Sequence, residues 1–155
     1  MSSPIRGRKI MSFPNNIFKP VITLKGDGIE LSLKNTFLYS DFDIPGYEFD
    51  VKVDGEHAGT FTALIESEFD KIAEEGNVGL IINQKFFGKK LPSKVAIASY
   101  PLFESHGQSD ILITFDEQNH AVEAACEELS AIYMDTLNID GSGASKKRYS
   151  AKAKS

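Results

Sequence analysis

Residues 76–131 read GNVGLIINQKFFGKKLPSKVAIASYPLFESHGQSDILITFDEQNHAVEAACEELSA, and their order decides the fold. An apolar run (78–82) leads into a glycine-lysine turn around Gly88 and then a helical pattern (92–103). A second apolar run (111–115) leads into a second helical pattern. Both runs have the length of strands, and the first suits a central strand buried on both faces. In the first helix Val95, Ala98 and Leu102 share a face. Pro92 fits the first turn, where its missing N–H costs nothing. Pro101 removes the bond to the Ile97 carbonyl and is expected to kink or end the helix, with Gly107 closing it. Asn119 is a good N-cap for the second helix, where Val122, Ala125, Cys126 and Leu129 form one apolar stripe.

Working outward, residues 47–53 give the clearest strand. Tyr47, Phe49, Val51 and Val53 alternate with Glu48, Asp50 and Lys52, so one face is apolar. Asp54-Gly55 is a tight-turn pair, and 59–65 is the returning strand of an antiparallel hairpin. Residues 29–33 alternate in the same way. Residues 35–46 are aromatic-rich but irregular, and Ile44-Pro45-Gly46 breaks them. A short strand at 21–24 precedes the turn Gly26-Asp27-Gly28, and the acidic stretch 66–76 forms a short turn or helix. Downstream, 132–139 reads as a strand, 140–143 as a turn and 147–151 as an edge strand whose lysines protect it. Residues 1–20 read as a flexible lead-in, 21–151 as one domain and 152–155 as a basic tail. Met11 offers a second translational start.

The totals narrow the class. A chain of 155 residues is long enough for one domain with a sizeable core. No apolar run reaches the roughly 20 residues that span a bilayer. Arg6, Arg8 and Lys9 are not followed by the apolar core of a secretory signal, so a cytoplasmic location is expected. The single cysteine, Cys126, excludes an internal disulfide and a Cys-rich zinc site. Three basic groups in 1–9 and five in 146–155, against a net charge of −5, leave −13 on the rest. An acidic body argues against nucleic acid except through the basic ends. His57, His106 and His120 lack ligand spacing, and no metal is expected.

Taken together, these elements resemble the GCN5-related N-acetyltransferase (GNAT) superfamily. The resemblance covers residues 29–149 and rests on order and spacing. It is tightest to a subgroup whose second helix opens with Asn and ends in Cys-Glu-x-Leu-Gly-Ala. Here that is Asn119 and Cys126-Glu127-Glu128-Leu129-Ser130-Ala131. The GNVG entry, the proline in the first helix and Lys147-Arg148-Tyr149 fit the same subgroup. The implied fold is a mixed, mostly antiparallel sheet with a central, splayed parallel strand pair and flanking helices.

The resemblance implies acetyl-CoA as acyl donor and a primary amine as acceptor. A turn of backbone N–H groups at a helix N-terminus suits an anion. In the superfamily this turn holds the coenzyme pyrophosphate through a Gln/Arg-x-x-Gly-x-Gly/Ala pattern. The corresponding residues are Lys85, Phe86, Phe87, Gly88, Lys89 and Lys90. Lysine at position 90 is a poor occupant if the turn needs positive φ there. The coenzyme arm would pair with backbone at Leu80, Ile81 and Ile82, where an N–H near Leu80 or Ile81 would polarise the thioester carbonyl. Asn119 would contact the arm as well as cap its helix.

Glu66, Glu75 and Asp116 are the candidate bases for deprotonating the amine. Many members carry a proton-donating tyrosine seven residues after the capping Asn. Cys126 stands there, as a weak donor or as core packing. Superfamily members also wall the acceptor site with one or two helices after the first strand, and here only 35–46 is available. The acceptor pocket is then reduced, open, or completed by a second subunit of a homodimer. The rival expectation is a catalytically inactive member serving as a binding or regulatory module.

Overall fold

The structure, a computed structural model, describes residues 17–21, 23–139 and 144–153. β1 (Thr23–Gly26), β2 (Ile29–Tyr39), β3 (Ile44–Val53), β4 (Glu56–Leu64) and β5 (Val78–Ile82) form one sheet in chain order. Then come α1 (Leu91–Ser105), β6 (Asp110–Asp116), α2 (His120–Glu128), β7 (Ile132–Ile139) and β8 (Ala144–Lys152). The last three strands form a second sheet in the order β6-β8-β7. Every ladder among the described residues is antiparallel. The class is α+β, as the sequence predicts.

Strand alternation sorts the core. Leu31, Phe49, Val51 and Phe61 face α1, where they meet Val95, Leu102 and Phe103 together with Ile111, Ile113 and Cys126. On β6 the residue between those two isoleucines, Leu112, faces the other way. It joins a smaller cluster with Ile44, Leu64 and Ile72, under a 3₁₀ turn at Phe69–Ile72. Period-two alternation is what lets one strand serve both clusters. Phe18 packs edge-on against Tyr47, and the Lys19 N–H donates to the Tyr47 hydroxyl at 2.6 Å, so the chain before β1 lies on the core.

Four local expectations need correction. Residues 35–46 are a hairpin: a bulge between Leu33 and Asn35 shifts the register, and β2 then pairs with β3 through Tyr39↔Ile44. Pro45 sits inside β3, and its carbonyl accepts the Ile65 N–H at 2.9 Å. β5 is partly buried on one face only, with Ile81 75% exposed, because none of the described residues covers its far side. β8 is the central strand of its sheet, and β7 is an edge. Pro101 does not end α1, which continues to Ser105 with Pro101 exposed. Gly107 then closes the helix as expected, with φ +76 and its N–H on the Glu104 carbonyl. The turn expected at 140–143 lies outside the described residues.

The expected parallel pair, β5 and β6, is divided between the two sheets. What ties them is Asn77. Its N–H donates to the Leu112 carbonyl at 2.7 Å, and its Oδ1 accepts the Leu112 N–H at 2.7 Å. Its Nδ2 donates to the carbonyls of Leu64 at 2.7 Å and Glu66 at 3.0 Å. Its own carbonyl accepts the Leu64 N–H at 2.8 Å. Gly76, at φ +74, lets the chain pass so close to β6 that an added Cβ would sit 3.0 Å from the Leu112 carbonyl oxygen. Past this junction the sheets separate.

Replacing Asn77 by Ala leaves a buried N–H and two carbonyls without these partners. It should lower unfolding free energy by about 3 kcal/mol. Chemical denaturation measures this, and an unchanged midpoint would refute the junction's importance.

Candidate active site

Between the separated strands lies a cavity of about 500 Å³. Val78, Gly79 and Leu80 of β5 line it together with Ile113 and Phe115 of β6, Val95 and Ala96 of α1, and Val122 and Cys126 of α2. Glu74, Glu75, Thr114, Asp116, Asn119 and Lys146 supply its polar lining. Glu74, Glu75, Asp116 and Asn119 are exposed, so this is the side that meets solvent.

Strand register decides which backbone faces the cavity. The bonds Leu64 N–H to Asn77 carbonyl and Asn83 N–H to Ala58 carbonyl fix the alternation of β5 on β4. By that alternation Gly79 and Ile81 turn their peptide groups toward β4, and Val78, Leu80 and Ile82 turn theirs away, toward the gap. The Ile81 carbonyl is pressed so closely on Gly59 that no side chain fits there. The Leu80 N–H therefore faces the gap, and the Ile81 N–H faces β4.

The turn at Gly88 lies outside the cavity lining, next to Pro92, which belongs to it. Gly88 has φ +81 and open space where a Cβ would stand. Lys90 is the N-cap of α1 at φ 56 and ψ 29, the left-handed region, so position 90 does require positive φ and lysine fills it. Lys85 is in a 3₁₀ turn, Gln84–Phe86, and is ion-paired with Glu56. Phe87 is 63% exposed, and Lys89 is exposed.

Glu75 and Asp116, far apart in sequence, meet at the cavity. Glu66 is not on its lining; its carboxylate accepts the Glu68 N–H at 2.9 Å, and its carbonyl holds Asn77 and Gln108. Tyr39, which sequence reasoning missed, lies near enough to Glu75 and Glu74 for their carboxylates to act on its hydroxyl. Burial, followed by the Glu75 carboxylate, raises the Tyr39 hydroxyl above its ordinary pKa. Its position became readable only through the bulge that carries β2 to residue 39.

Asn119 caps α2, accepting the Val122 N–H at 3.2 Å, and lines the cavity as well. Cys126 is fully buried, and burial pushes its thiol up to about 12, with Glu123 and Glu127 adding to the rise. A donor that weakly acidic is unsuited to protonating a thiolate, and packing accounts for the residue. No group of three or more His, Cys, Asp or Glu among the described residues is arranged to hold a metal. His106 instead meets the Tyr47 hydroxyl at 2.8 Å, and His57 pairs with Asp50 at 2.5 Å.

Two sheets parted at a cleft, with α1 alongside, make a GNAT-like fold. No family model matches the chain, and no curated protein does. Solved structures do. A RimL ribosomal L7/L12 alpha-N-protein acetyltransferase aligns with a TM-score of 0.62 over 84% of this chain and 93% of its own, at 11% identity. The microcin C7 self-immunity acetyltransferase MccE, in complex with acetyl-CoA and AMP, aligns at 0.55 and 15% identity, over 69% of this chain and 61% of its own. RimJ of Mycobacterium smegmatis, in complex with CoA-disulfide, aligns at 0.55 and 16%, over 70% and 53%. At these identities the likeness is one of fold.

The left-handed Lys90 yields a test by substitution. Glycine at position 90 should stabilise the fold relative to valine by about 1–2 kcal/mol, since only the valine bears the left-handed penalty. Equal thermal midpoints for Lys90→Gly and Lys90→Val would contradict the assigned backbone conformation.

Proposed function

We propose that this protein is an acyl-CoA-dependent N-acetyltransferase that moves an acetyl group from acetyl-CoA to a primary amine. The observation that carries the reading is the cleft itself: Val78 and Leu80 line it with their peptide groups turned toward it, and Pro92, in the first turn of the helix that follows Gly88, lines it too. A pantetheine arm is a chain of amides and methylenes, and a gap-facing strand edge offers it amide partners. The Gly88 turn and the first turn of α1 would hold the pyrophosphate.

Acetyl-CoA supplies an activated acyl group. The remaining roles fall to the chain. The Leu80 N–H would polarise the thioester carbonyl and stabilise the charge that develops on its oxygen. Glu75, with Tyr39 nearby, would take the proton of the attacking amine, directly or through water. Asp116 shares the same rim and is the second candidate base. The acceptor would approach over an open face, because only the turn at residues 40–43 joins β2 to β3, with no helix between them. A cytoplasmic location fits this chemistry; among the described residues no helix is long and apolar enough to cross a membrane.

A second reading is a binding or regulatory module that has lost catalysis. The fully buried Cys126, standing where the resemblance leads one to expect a proton-donating tyrosine, favours it.

Titration with acetyl-CoA separates ligand binding from its absence. At about 100 times its Kd the coenzyme should stabilise the fold by roughly 2.7 kcal/mol. A melting curve unmoved by millimolar acetyl-CoA would sink the enzyme reading. Gly88→Trp, which fills the turn, should abolish the shift.

Thiol release with an amine acceptor then tests catalysis. Glu75→Gln should lower kcat by about 100-fold or more while coenzyme affinity holds. Tyr39→Phe should lower it by a smaller factor. Full activity in Glu75→Gln would transfer the role to Asp116 or to solvent.

A further inference from the structure

The first turn of α1 has two side-chain groups suited to gripping an anion, the Lys90 ammonium and the Ser93 hydroxyl. Both already hold one. The Ser93 hydroxyl lies 2.8 Å from Glu128 Oε1 and 3.1 Å from the Lys90 carbonyl, the carboxylate being the nearer acceptor for its one proton, and Lys90 Nζ lies 3.3 Å from Glu128 Oε2. Glu128 ends α2, so its carboxylate reaches across the interhelical contact to the start of the other helix. The Ser93 hydrogen bond, and after it the Lys90 charge, hold the Glu128 carboxyl's pKa below its ordinary value.

The neighbouring cations are engaged in the same way. Lys85 is paired with Glu56, and Lys94 is 3.7 Å from Asp27. Lys89 is the one lysine of residues 85–94 without a carboxylate partner among the described residues. α1 has no side-chain N-cap, so a carboxylate at its first turn also faces the positive end of the helix dipole.

We propose that Glu128 is an internal counter-anion that sets the affinity of the α1 turn for phosphate groups, and that a coenzyme must displace it to bind. The inference rests on the coenzyme reading given above and adds a residue that this reading does not require. Without a ligand, Glu128 neutralises Lys90 and satisfies Ser93. On binding, a pyrophosphate would take over both partners, and the carboxylate would swing into solvent, which its exposed position permits. Affinity is then the difference between two anions competing for one turn. The side chain that discriminates between them stands on α2, outside the turn motif.

The test compares acetyl-CoA affinity, by calorimetry, in the wild type, Glu128→Gln and Glu127→Gln. Glutamine keeps the shape and can still accept the Ser93 hydrogen bond, while removing the competing charge. Glu127 is exposed and adjacent, and its substitution changes net charge by the same amount. Glu128→Gln should bind about fivefold more tightly or better, the scale of a charge contact at about 4 Å near water. Glu127→Gln should bind as the wild type does.

Wild-type binding unchanged by Glu128→Gln overturns this inference and leaves the coenzyme reading standing. Equal gains in the two variants reduce the effect to net charge and overturn it too. Failure of every variant to bind removes both, because freeing Lys90 and Ser93 has then not produced a phosphate site.

Discussion

The structure depends on one buried amide. Asn77 takes the place of a strand pair: its backbone and side chain bond Leu112 on one side and Leu64 and Glu66 on the other. A full ladder between β5 and β6 would have closed the sheet and erased the cleft. No contact at all would have left two sheets free to drift. A single residue with both a donor and an acceptor on its side chain gives the intermediate result, a fixed vertex with diverging arms. Gly76 is its necessary companion, since only a residue without a Cβ lets the chain come that near to β6.

Much of this was legible in the sequence, for physical reasons specific to each element. The 54–55 turn was readable because Asp-Gly accepts positive φ at both positions, and it has φ 50 and 85. The α2 cap was readable because an asparagine before an apolar stripe has few other uses. Residues 35–46 were not, because a bulge switches which side chains face inward and breaks the alternation on which strand reading depends. The exposure of Ile81 was hidden for a different reason: whether a face is covered depends on what lies opposite, and a local run of apolar residues is silent about that. The site was partly visible. Gly88, Glu75, Asp116 and Asn119 could be picked out by type, whereas Tyr39 and Glu128 reach their positions only through tertiary packing.

The charge arrangement around α1 follows from the same economy of space. An acidic chain with lysines at a helix start will pair them with its own carboxylates when no stronger anion is present. The pairs are exposed, so each contributes little to stability. Their weight lies in what they leave available. A lysine at position 90 is conformationally costly, and its partner on α2 gives it an electrostatic function that glycine could not have.

The short turn at residues 40–43 has a kinetic consequence. Four residues closed by an Asp43-to-Ser40 backbone bond have no length with which to fold over the cleft. In the proposed acyl transfer this turn would supply no closing step that excludes water or encloses the acceptor. Water would then compete with the amine for the activated acyl group throughout the lifetime of the complex. Fidelity would come from how long the amine stays on the face of β5, so the acceptor's contacts far from its reacting nitrogen would govern the outcome.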